Sequence, residues 1–146
     1  MTDVRRHMTP NPVTVGPHDS LRKVRLLMRQ GRLRRLPVIE NRRVVGIVTD
    51  RDLWERSPSG IGDTAHAQNE DLWDHLRVMG VMTLQPATIA PTASILEAAR
   101  LVRATKVGAL LVVEDQELVG IITKGDLLDA LLAAVEPRAA ASVPRS

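Results

Sequence analysis

The sequence contains one segment twice. Residues 4–55 align without a gap on residues 78–129, so that Met8 of the first copy corresponds to Met82 of the second, 74 positions later. Roughly a third of the aligned positions are identical, and two copies of this length form neither a short-period solenoid nor an array. The duplication therefore predicts two copies of one small α/β unit, packed against each other, with any binding site in the seam between them.

Both copies predict the same order of elements. An extended piece comes first, and a helix then begins near Ser20 or Ser94, with apolar residues at three-and-four spacing behind it. Two apolar strands follow, separated by a two-residue turn, and a last helix starts after a threonine. The extended pieces are residues 13–15 and 87–89, the strands are 36–39, 44–48, 109–113 and 118–122, and the turns are Asn41-Arg42 and Asp115-Gln116. The predicted fold class is α/β (α+β), with two β-α-β-β-α units related by a pseudo-twofold axis and packed through their sheets.

The duplication also sets the predicted boundaries along the chain. We expect the first repeat to span residues 4–56 and the second to span residues 78–136. Residues 57–77 join them as a loop rich in Ser, Pro and Gly, followed by a short helix. Residues 137–146 show no core-forming pattern and are expected to be a disordered tail.

Composition and spacing argue against several kinds of site. The chain has no cysteine, which rules out disulfides, thiolate metal sites and cysteine nucleophiles. Its four histidines show no metal-ligand spacing, and neither a Gly-rich phosphate loop nor a serine–histidine–aspartate arrangement is present in the sequence. Its apolar runs are too short or too interrupted to cross a bilayer, and its N-terminus does not resemble a secretory signal. We therefore expect a soluble cytoplasmic protein, not associated with a membrane, that is not an enzyme and has no obligatory cofactor or metal.

Charge is unevenly distributed between the two halves. Residues 1–56 carry 13 basic and 6 acidic side chains, a net charge of +7, whereas residues 57–146 carry 7 and 11, a net charge of −4. Most of the basic residues are arginines, which bind carboxylates and phosphates in a fork. This half could meet an anionic small molecule, a nucleic acid or the acidic half of a partner subunit, or it could be a solvated basic face. Arg22, Arg25, Arg29 and Arg32 fall at helical spacing and predict a basic stripe along one side of the first helix.

The pattern Gly-h-h-Thr-x-x-Asp, where h is apolar, occurs at residues 46–52 and again at residues 120–126. At each place a strand ends, a threonine stands at the helix start, and an aspartate follows one turn later. Backbone N–H groups and a hydroxyl at a helix start can bind an anion, and the carboxylate can accept hydrogen bonds from two vicinal sugar hydroxyls. The alternative is a capping box, in which the aspartate only bonds back to the threonine N–H. The recurrence of the pattern in the same register favours the ligand site.

Taken in order, these motifs resemble a tandem pair of cystathionine-beta-synthase (CBS) domains. The resemblance covers residues 4–136. It rests on Met-Thr-x-x-Pro-h-Thr-h at residues 8–15 and 82–89, on the strand segments at 36–40 and 110–114, and on the two Gly-h-h-Thr-x-x-Asp segments.

This resemblance implies a regulatory module that binds adenosine compounds (AMP, ADP, ATP or S-adenosylmethionine) as effectors in clefts between the repeats. Asp52 and Asp126 would hold the ribose hydroxyls, and Thr49 and Thr123 would contact phosphate. The other ligand contacts that it implies are Arg34 and Arg35 at the phosphates, Val13, Thr14, Val15, Ala87, Thr88 and Ile89 at the base, and Arg51 and Lys124 at the same two helix starts.

The two copies differ where phosphate is expected to bind. The second copy has Gly108, Ala109, Lys124 and Gly125 where the first has Arg34, Arg35, Asp50 and Arg51. The two clefts should therefore differ electrostatically, and binding of a phosphorylated ligand in one cleft alone is an open alternative.

The resemblance also implies a homodimer formed through helices, with an unidentified regulated protein as a further partner. Leu26, Leu128 and Leu131 are the apolar candidates for exposed dimer contacts. The alternative is a ligand-free adaptor or oligomerisation module that contacts a partner protein or nucleic acid through its Arg-rich face. Nucleic acid is the less favoured partner, because the chain has two tryptophans and no Phe or Tyr to serve as a stacking platform.

Overall fold

The computed structural model describes residues 3–55 and 70–136, with side chains from Trp73 onward in the helix that starts at Glu70. The predicted loop at residues 57–69 and the predicted disordered tail at residues 137–146 lie outside this part of the chain.

Helices and strands alternate along the described chain, which confirms the α/β fold class. The α-helices are α1 (Leu21–Gly31), α2 (Asp50–Glu55), α3 (Glu70–His75), α4 (Ile95–Thr105) and α5 (Lys124–Val135), and the 3₁₀ helices are Val4–Arg6 and Val78–Gly80. The strands are β1 (Thr9–Pro10), β2 (Arg35–Glu40), β3 (Arg43–Thr49), β4 (Thr83–Leu84), β5 (Thr88–Ile89), β6 (Ala109–Glu114) and β7 (Glu117–Thr123).

Side-chain caps explain where α1 and α4 begin. The Ser20 hydroxyl accepts a hydrogen bond from the Lys23 N–H at 3.1 Å, which satisfies one of the free donors of the first turn. The Ser94 hydroxyl does the same for Glu97 at 3.0 Å, and the Glu97 carboxylate bonds back to the Ser94 N–H, so that α4 starts with a complete capping box.

Both helices end at a residue in the left-handed conformation. Arg32 closes α1 at φ 54° and Lys106 closes α4 at φ 58°. A residue in that conformation no longer continues the helical spacing, so the prediction that Arg32 belongs to the basic stripe is wrong. The stripe on α1 ends at Arg29.

The described chain separates into two compact units. One unit, which we call the first-repeat unit, takes residues 12–55 and 70–86, and the other, the second-repeat unit, takes residues 3–11 and 87–136. The short segment that leads each repeat in sequence is therefore part of the unit built from the other repeat.

Strand pairing shows how each leading segment is held. In the second-repeat unit the strand order is β1-β7-β6-β5, and β1 pairs antiparallel with β7, placing Thr9 opposite Ile121. In the first-repeat unit the order is β2-β3-β4, and Thr83 lies opposite Ile47. In the second-repeat unit β5 lies at the edge of the sheet, beside β6. In the first-repeat unit Val15 has the corresponding position beside β2 and forms a parallel bridge to Val38.

The two hairpins have the predicted two-residue turns. Asn41 and Arg42 have φ values of 53° and 67°, and Asp115 and Gln116 have φ values of 53° and 69°. Two consecutive positive φ values are the type I′ geometry whose twist matches that of the flanking strands. The turns pair β2 with β3 and β6 with β7. In each hairpin the start of the first strand therefore lies beside the end of the second.

Each unit has its own apolar core. In the first-repeat unit α1 buries its inward face on the β2–β3 hairpin, and Trp73 of α3 is 1% exposed against the same core. Its buried residues include Leu21, Val24, Met28, Leu36, Val38, Val48 and Leu53. In the second-repeat unit they include Val4, Ile95, Ala98, Leu110, Val112, Ile122 and Leu127.

The glycine of each Gly-h-h-Thr-x-x-Asp pattern lies against the leading segment of the other repeat. A Cβ at Gly46 would stand 2.8 Å from Met82 Sδ and 2.9 Å from the Thr83 carbonyl oxygen. A Cβ at Gly120 would stand 2.9 Å from the Thr9 carbonyl oxygen and would overlap Met8 Sδ. Packing of the Met-Thr segment therefore accounts for the glycine, and no ligand is needed to explain it.

Helix α5 leaves an apolar stripe at its surface. Leu128, Leu132 and Val135 are 60%, 57% and 75% exposed. Leu131, which the sequence suggested as an exposed contact, instead packs in part against the core of the second-repeat unit, and Leu132 takes its place on the outer face. The other two candidates, Leu26 and Leu128, are exposed as expected.

Candidate ligand-binding helix starts

A capping box closes the start of α2 and of α5. At α2 the Thr49 N–H donates to Asp52 Oδ2 at 2.9 Å, and the Asp52 N–H donates to the Thr49 hydroxyl at 3.1 Å. At α5 the Thr123 N–H donates to Asp126 Oδ2 at 2.9 Å, and the Asp126 N–H donates to the Thr123 hydroxyl at 3.2 Å. The capping alternative that the sequence left open therefore describes both helix starts.

Each capping bond uses one oxygen of its carboxylate. In both boxes Oδ2 accepts the capping bond, so Oδ1 takes no part in it. An ionised carboxylate has two oxygens and about four lone-pair sites. At the half-buried Asp126 a hydroxyl pair could therefore be accepted beside the cap, whereas Asp52, at 8% exposed, is less accessible to a ligand.

Backbone pairing brings the predicted phosphate contacts of the first-repeat unit to the start of α2. Arg35, the first residue of β2, lies opposite Thr49, the last residue of β3. The Asp50 N–H donates to the Arg34 carbonyl oxygen at 2.9 Å, which ties the first turn of α2 to the residue ahead of β2. Arg34 and Arg35 thus lie next to the Thr49 capping box.

The extended piece of the same unit runs beside β2. The Val15 N–H donates to the Pro37 carbonyl oxygen at 3.0 Å, and the Ile39 N–H donates to the Val15 carbonyl oxygen at 2.8 Å. Val15 is buried, whereas Val13 and Thr14, which precede it, are exposed. The parallel direction carries Val13 and Thr14 toward the start of β2, which is the edge where Arg35 meets Thr49.

The second-repeat unit repeats this arrangement with other side chains. Ala109 lies opposite Thr123, and the Lys124 N–H donates to the Gly108 carbonyl oxygen at 3.0 Å. Strand β5 runs parallel to β6, with Thr88 opposite Leu111 and Ile89 opposite Val112, and the Leu111 N–H donates to the Ala87 carbonyl oxygen at 3.0 Å. The backbone frame is the same, but the two arginines of the first-repeat unit are replaced by a glycine and an alanine.

Arg51 is directed along its own helix. Its Nε donates to Glu55 Oε1 at 2.7 Å, and this hydrogen bond and the Glu55 charge raise the pKa of the Arg51 guanidinium above its ordinary value. The pair is exposed, with side-chain exposures of 80% and 59%. A ligand that used Arg51 would first have to compete with Glu55.

A surface pocket lies elsewhere, on the outer face of α1. It has a volume of about 270 Å³ and is lined by Arg22, Arg25, Leu26 and Arg29. Residues of α3 hold two of these side chains, since Arg22 Nη1 lies 3.0 Å from Asp74 Oδ2 and the Arg25 guanidinium lies 5.1 Å from the centroid of the Trp73 ring. The sequence showed the arginine spacing, but no local signal showed that α3 packs on α1.

Two further kinds of site are absent from the part of the chain that the structure describes. Within residues 3–55 and 70–136, no group of three or more His, Cys, Asp or Glu side chains could hold a metal ion. No helix among the same residues is long and apolar enough to cross a membrane.

A family model for the CBS domain matches residues 2–53 and 78–133. The chain belongs to the CBS domain family. The two matched segments correspond to the two sequence repeats. The match confirms the family that the sequence motifs indicated.

Similar proteins cover the CBS pair to different extents. The chain is 34% identical over 139 residues to a CBS domain-containing protein of Dictyostelium discoideum, covering 92% of this chain and 94% of that protein. It is 36% identical over 116 residues to inosine-5'-monophosphate dehydrogenase of Korarchaeum cryptofilum, covering 79% of this chain but 21% of that enzyme. The crystal structure of CBSX2 of Arabidopsis thaliana in complex with AMP superposes with a TM-score of 0.74 at 28% identity, covering 93% of this chain and 100% of that chain.

Proposed function

We propose that this CBS pair is a regulatory module that binds an adenosine nucleotide at the helix starts of its two units. One observation supports the proposal: within each unit, three features lie at the same edge of a sheet. They are a capping-box aspartate, the first residues of a β-hairpin and an extended segment. These three elements offer a hydroxyl-binding carboxylate, a phosphate-facing position and a strip of backbone for a base. The AMP complex of CBSX2 supports the choice of ligand class.

The roles follow from the chemistry of each group. Asp52 and Asp126 accept the ribose hydroxyls beside their capping bonds, and Thr49 and Thr123 contact phosphate. The segments at residues 13–15 and 87–89 lie along the base, and Arg51 and Lys124 complete the two helix starts. AMP, ADP, ATP and S-adenosylmethionine all carry the adenosine part that this arrangement fits.

The first-repeat unit is the better phosphate site. Arg34 and Arg35 stand beside the Thr49 capping box, whereas Gly108 and Ala109 offer no charge beside the Thr123 capping box. Charge-assisted bonds from arginine to phosphate are about twice as strong as neutral hydrogen bonds. We therefore expect the first-repeat unit to prefer ADP or ATP over adenosine more strongly than the second-repeat unit does.

Calorimetry with AMP, ADP, ATP and S-adenosylmethionine tests the proposal on the wild type and on the Asp52→Ala and Asp126→Ala variants. Removing a charged acceptor costs about 1.5–3 kcal/mol of binding, or roughly ten- to hundred-fold in affinity. A nucleotide at about a hundred times its Kd should also stabilise the fold by about 2.7 kcal/mol in a thermal-shift assay.

A matched control separates binding from capping, because each aspartate also caps its own helix. Glu97→Ala breaks the capping box at the start of α4, where no ligand contact is expected. It should lower stability by about 1 kcal/mol and leave nucleotide affinity unchanged. Equal nucleotide affinity in wild type, Asp52→Ala and Asp126→Ala would show that the two carboxylates serve as caps alone.

The phosphate preference has its own test. The Arg34→Ala/Arg35→Ala double variant should lose affinity for ATP by about tenfold or more while keeping its affinity for adenosine. An equal loss for both ligands would mean that the two arginines support the fold or the base and do not bind phosphate.

The module is proposed to regulate a protein that it contacts, and to do so as a homodimer.

The adaptor role is the second candidate, and the pocket between Arg22, Arg25 and Arg29 favours it. Binding of nucleic acid to this face would weaken steeply as salt rises. An electrophoretic shift assay at low salt checks that case, and we expect no shift.

A further inference from the structure

Each proposed nucleotide site is joined along the chain to a strand that pairs beside the other site. The chain passes from one unit to the other at residues 11–12 and again at residues 86–87. Ahead of the first passage, β1 belongs to the second-repeat unit and places Thr9 opposite Ile121 of β7. Directly after it comes the extended segment at residues 13–15, the proposed base contact of the first-repeat unit.

The second passage repeats this arrangement with the two units exchanged. Strand β4 belongs to the first-repeat unit and pairs beside Ile47 of β3, and the base segment at residues 87–89 of the second-repeat unit follows it. Ile47 and Ile121 each stand two residues ahead of a capping-box threonine. We call residues 9–15 the first link and residues 83–89 the second link.

Both links contain a strained residue at the passage. Asn11 has a φ of 47° and Gln85 a φ of 52°, and each precedes a proline. A side chain other than glycine disfavours positive φ, and a residue ahead of proline is ordinarily extended. The Asn11 N–H donates to the Val119 carbonyl oxygen at 3.2 Å, which holds this residue in place while β1 is paired with β7. Because proline also fixes its own φ, the first link has few ways to absorb a movement of β1.

The base segments at the far ends of the links are short and partly exposed. Val15 bonds to Pro37 and Ile39 of β2, whereas Val13 and Thr14 are exposed. Short exposed segments open at a low cost in free energy, and a nucleotide lying along this one would order the first link and hold β1 on β7. The next nucleotide then binds to a chain that is already ordered, which raises its affinity without any new contact.

We propose that the two links couple the two nucleotide sites, so that a nucleotide bound at one site raises the affinity of the other. This inference rests on the proposed function, because it assigns a regulation to the two sites named there. By thermodynamic linkage, each site raises the affinity of the other by the same factor. Couplings between sites typically amount to about five- to 150-fold, and we expect a factor of about five or more.

Calorimetry with AMP measures the coupling. At AMP concentrations that fill only the intact site, Asp52→Ala gives the affinity of the second-repeat site by itself, and Asp126→Ala gives that of the first-repeat site. The coupling ratio is the wild-type constant for binding two AMP molecules divided by the product of these two constants. It should be about five or more. A ratio of one would mean two independent sites and would overturn the proposal.

Glycine at the two strained positions tests whether the links carry the coupling. The Asn11→Gly/Gln85→Gly double variant adopts the same φ values without strain and adds flexibility. It should keep the affinity of each site but reduce the coupling ratio to about one. Asn41→Gly is the matched control, because Asn41 has a φ of 53° in the turn between β2 and β3, outside both links, and this variant should keep the full ratio. A ratio unchanged in the double variant would show that the links do not carry the coupling.

Hydrogen exchange followed by NMR tests the same connection without a nucleotide. Gly120→Ala displaces β1 through its clash with the Thr9 carbonyl oxygen, and it should speed exchange of the Val15 N–H in the first-repeat unit by about fivefold or more. The Leu33 N–H, just after α1 in the same unit, is the internal reference and should keep its rate. Gly80→Ala, whose added methyl group meets no atom, should leave both rates unchanged. An unchanged Val15 rate in Gly120→Ala would overturn the proposal.

The outcomes separate this inference from the proposed function. Failure of the wild type to bind any AMP would contradict both. Binding of one AMP, or of two with a coupling ratio near one, would contradict the coupling and leave the proposed nucleotide-binding module in place.

Discussion

Substitution of Gly120 by alanine should destabilise the second-repeat unit, because the added methyl group has no room. It would stand 2.9 Å from the Thr9 carbonyl oxygen and would overlap Met8 Sδ. Met8 is flexible and can move, but the Thr9 carbonyl belongs to β1, which is held opposite β7 by the pairs Thr9–Ile121 and Pro10–Gly120. Relief of the clash therefore requires β1 to shift or detach.

The expected magnitude follows from two opposing effects. Inserting a methyl group into a packed site typically costs about 1–3 kcal/mol. Replacing glycine by alanine also restricts the unfolded chain, which offsets about 0.4–1 kcal/mol of that cost. The clash is the larger effect, and the net loss should be about 1–2 kcal/mol, which lowers the melting temperature by roughly 2–8 °C for a chain of this size.

Urea unfolding measures this loss, with Gly80→Ala in the first-repeat unit as the control for an added methyl group that meets no neighbouring atom. A Cβ at Gly80 has no atom within 4 Å, so that variant should be as stable as wild type or slightly more stable. Circular dichroism follows both units, whereas tryptophan fluorescence follows only the first-repeat unit, which contains Trp54 and Trp73. Gly46→Ala should therefore lower stability in both signals.

The reasoning would be refuted if Gly120→Ala unfolded at the same urea concentration as Gly80→Ala. A double variant, Met8→Ala/Gly120→Ala, identifies the source of the clash. If removal of the methionine side chain restores stability, Met8 is the obstacle. If it does not, the Thr9 carbonyl is the obstacle, as the rigidity of the β1–β7 pairing implies.

Two further predictions concern local interactions. Partial burial raises the pKa of Asp19, but the hydrogen bond from the Gly16 N–H at 2.7 Å and the Lys23 ammonium outweigh it and place the pKa below its ordinary value of 3.8. The ionised Asp19 carboxylate therefore stabilises the fold above about pH 4, and this stabilisation is lost as pH falls through the lowered pKa. Asp19→Asn should reduce the free energy of unfolding by about 1 kcal/mol at neutral pH and by progressively less in acid. Urea titrations at several pH values check this, and a pH-independent difference would contradict it. Ser94→Ala should cost about 1 kcal/mol by removing the cap of α4, as measured by thermal unfolding against Ala99→Ser on the same helix, and an unchanged melting temperature would count against it.

Local features of the sequence were enough to predict the elements and the family. The serine caps at Ser20 and Ser94 and the two-residue turn between the strands of each hairpin are short-range signals, and the structure has each of them in place. The Gly-h-h-Thr-x-x-Asp pattern likewise predicted both helix starts and, as an alternative, the capping boxes found there. These features depend on residues within one turn of each other, so a single stretch of sequence contains all the information they need.

Tertiary structure alone decided which remote segments pair. Thr9 lies opposite Ile121, and no local pattern marks a two-residue strand for pairing with one so distant in the chain. The same holds for Arg25 over the Trp73 ring, and for Gly46 beneath Met82. The predicted turn sets β2 beside β3, but the register shift between Val38 and Ile39 brings Arg35 opposite Thr49, and no residue spacing in the sequence shows that shift. Contacts of this kind form because burial and hydrogen bonding are satisfied across the whole unit, and that balance is a property of the folded chain rather than of any segment within it.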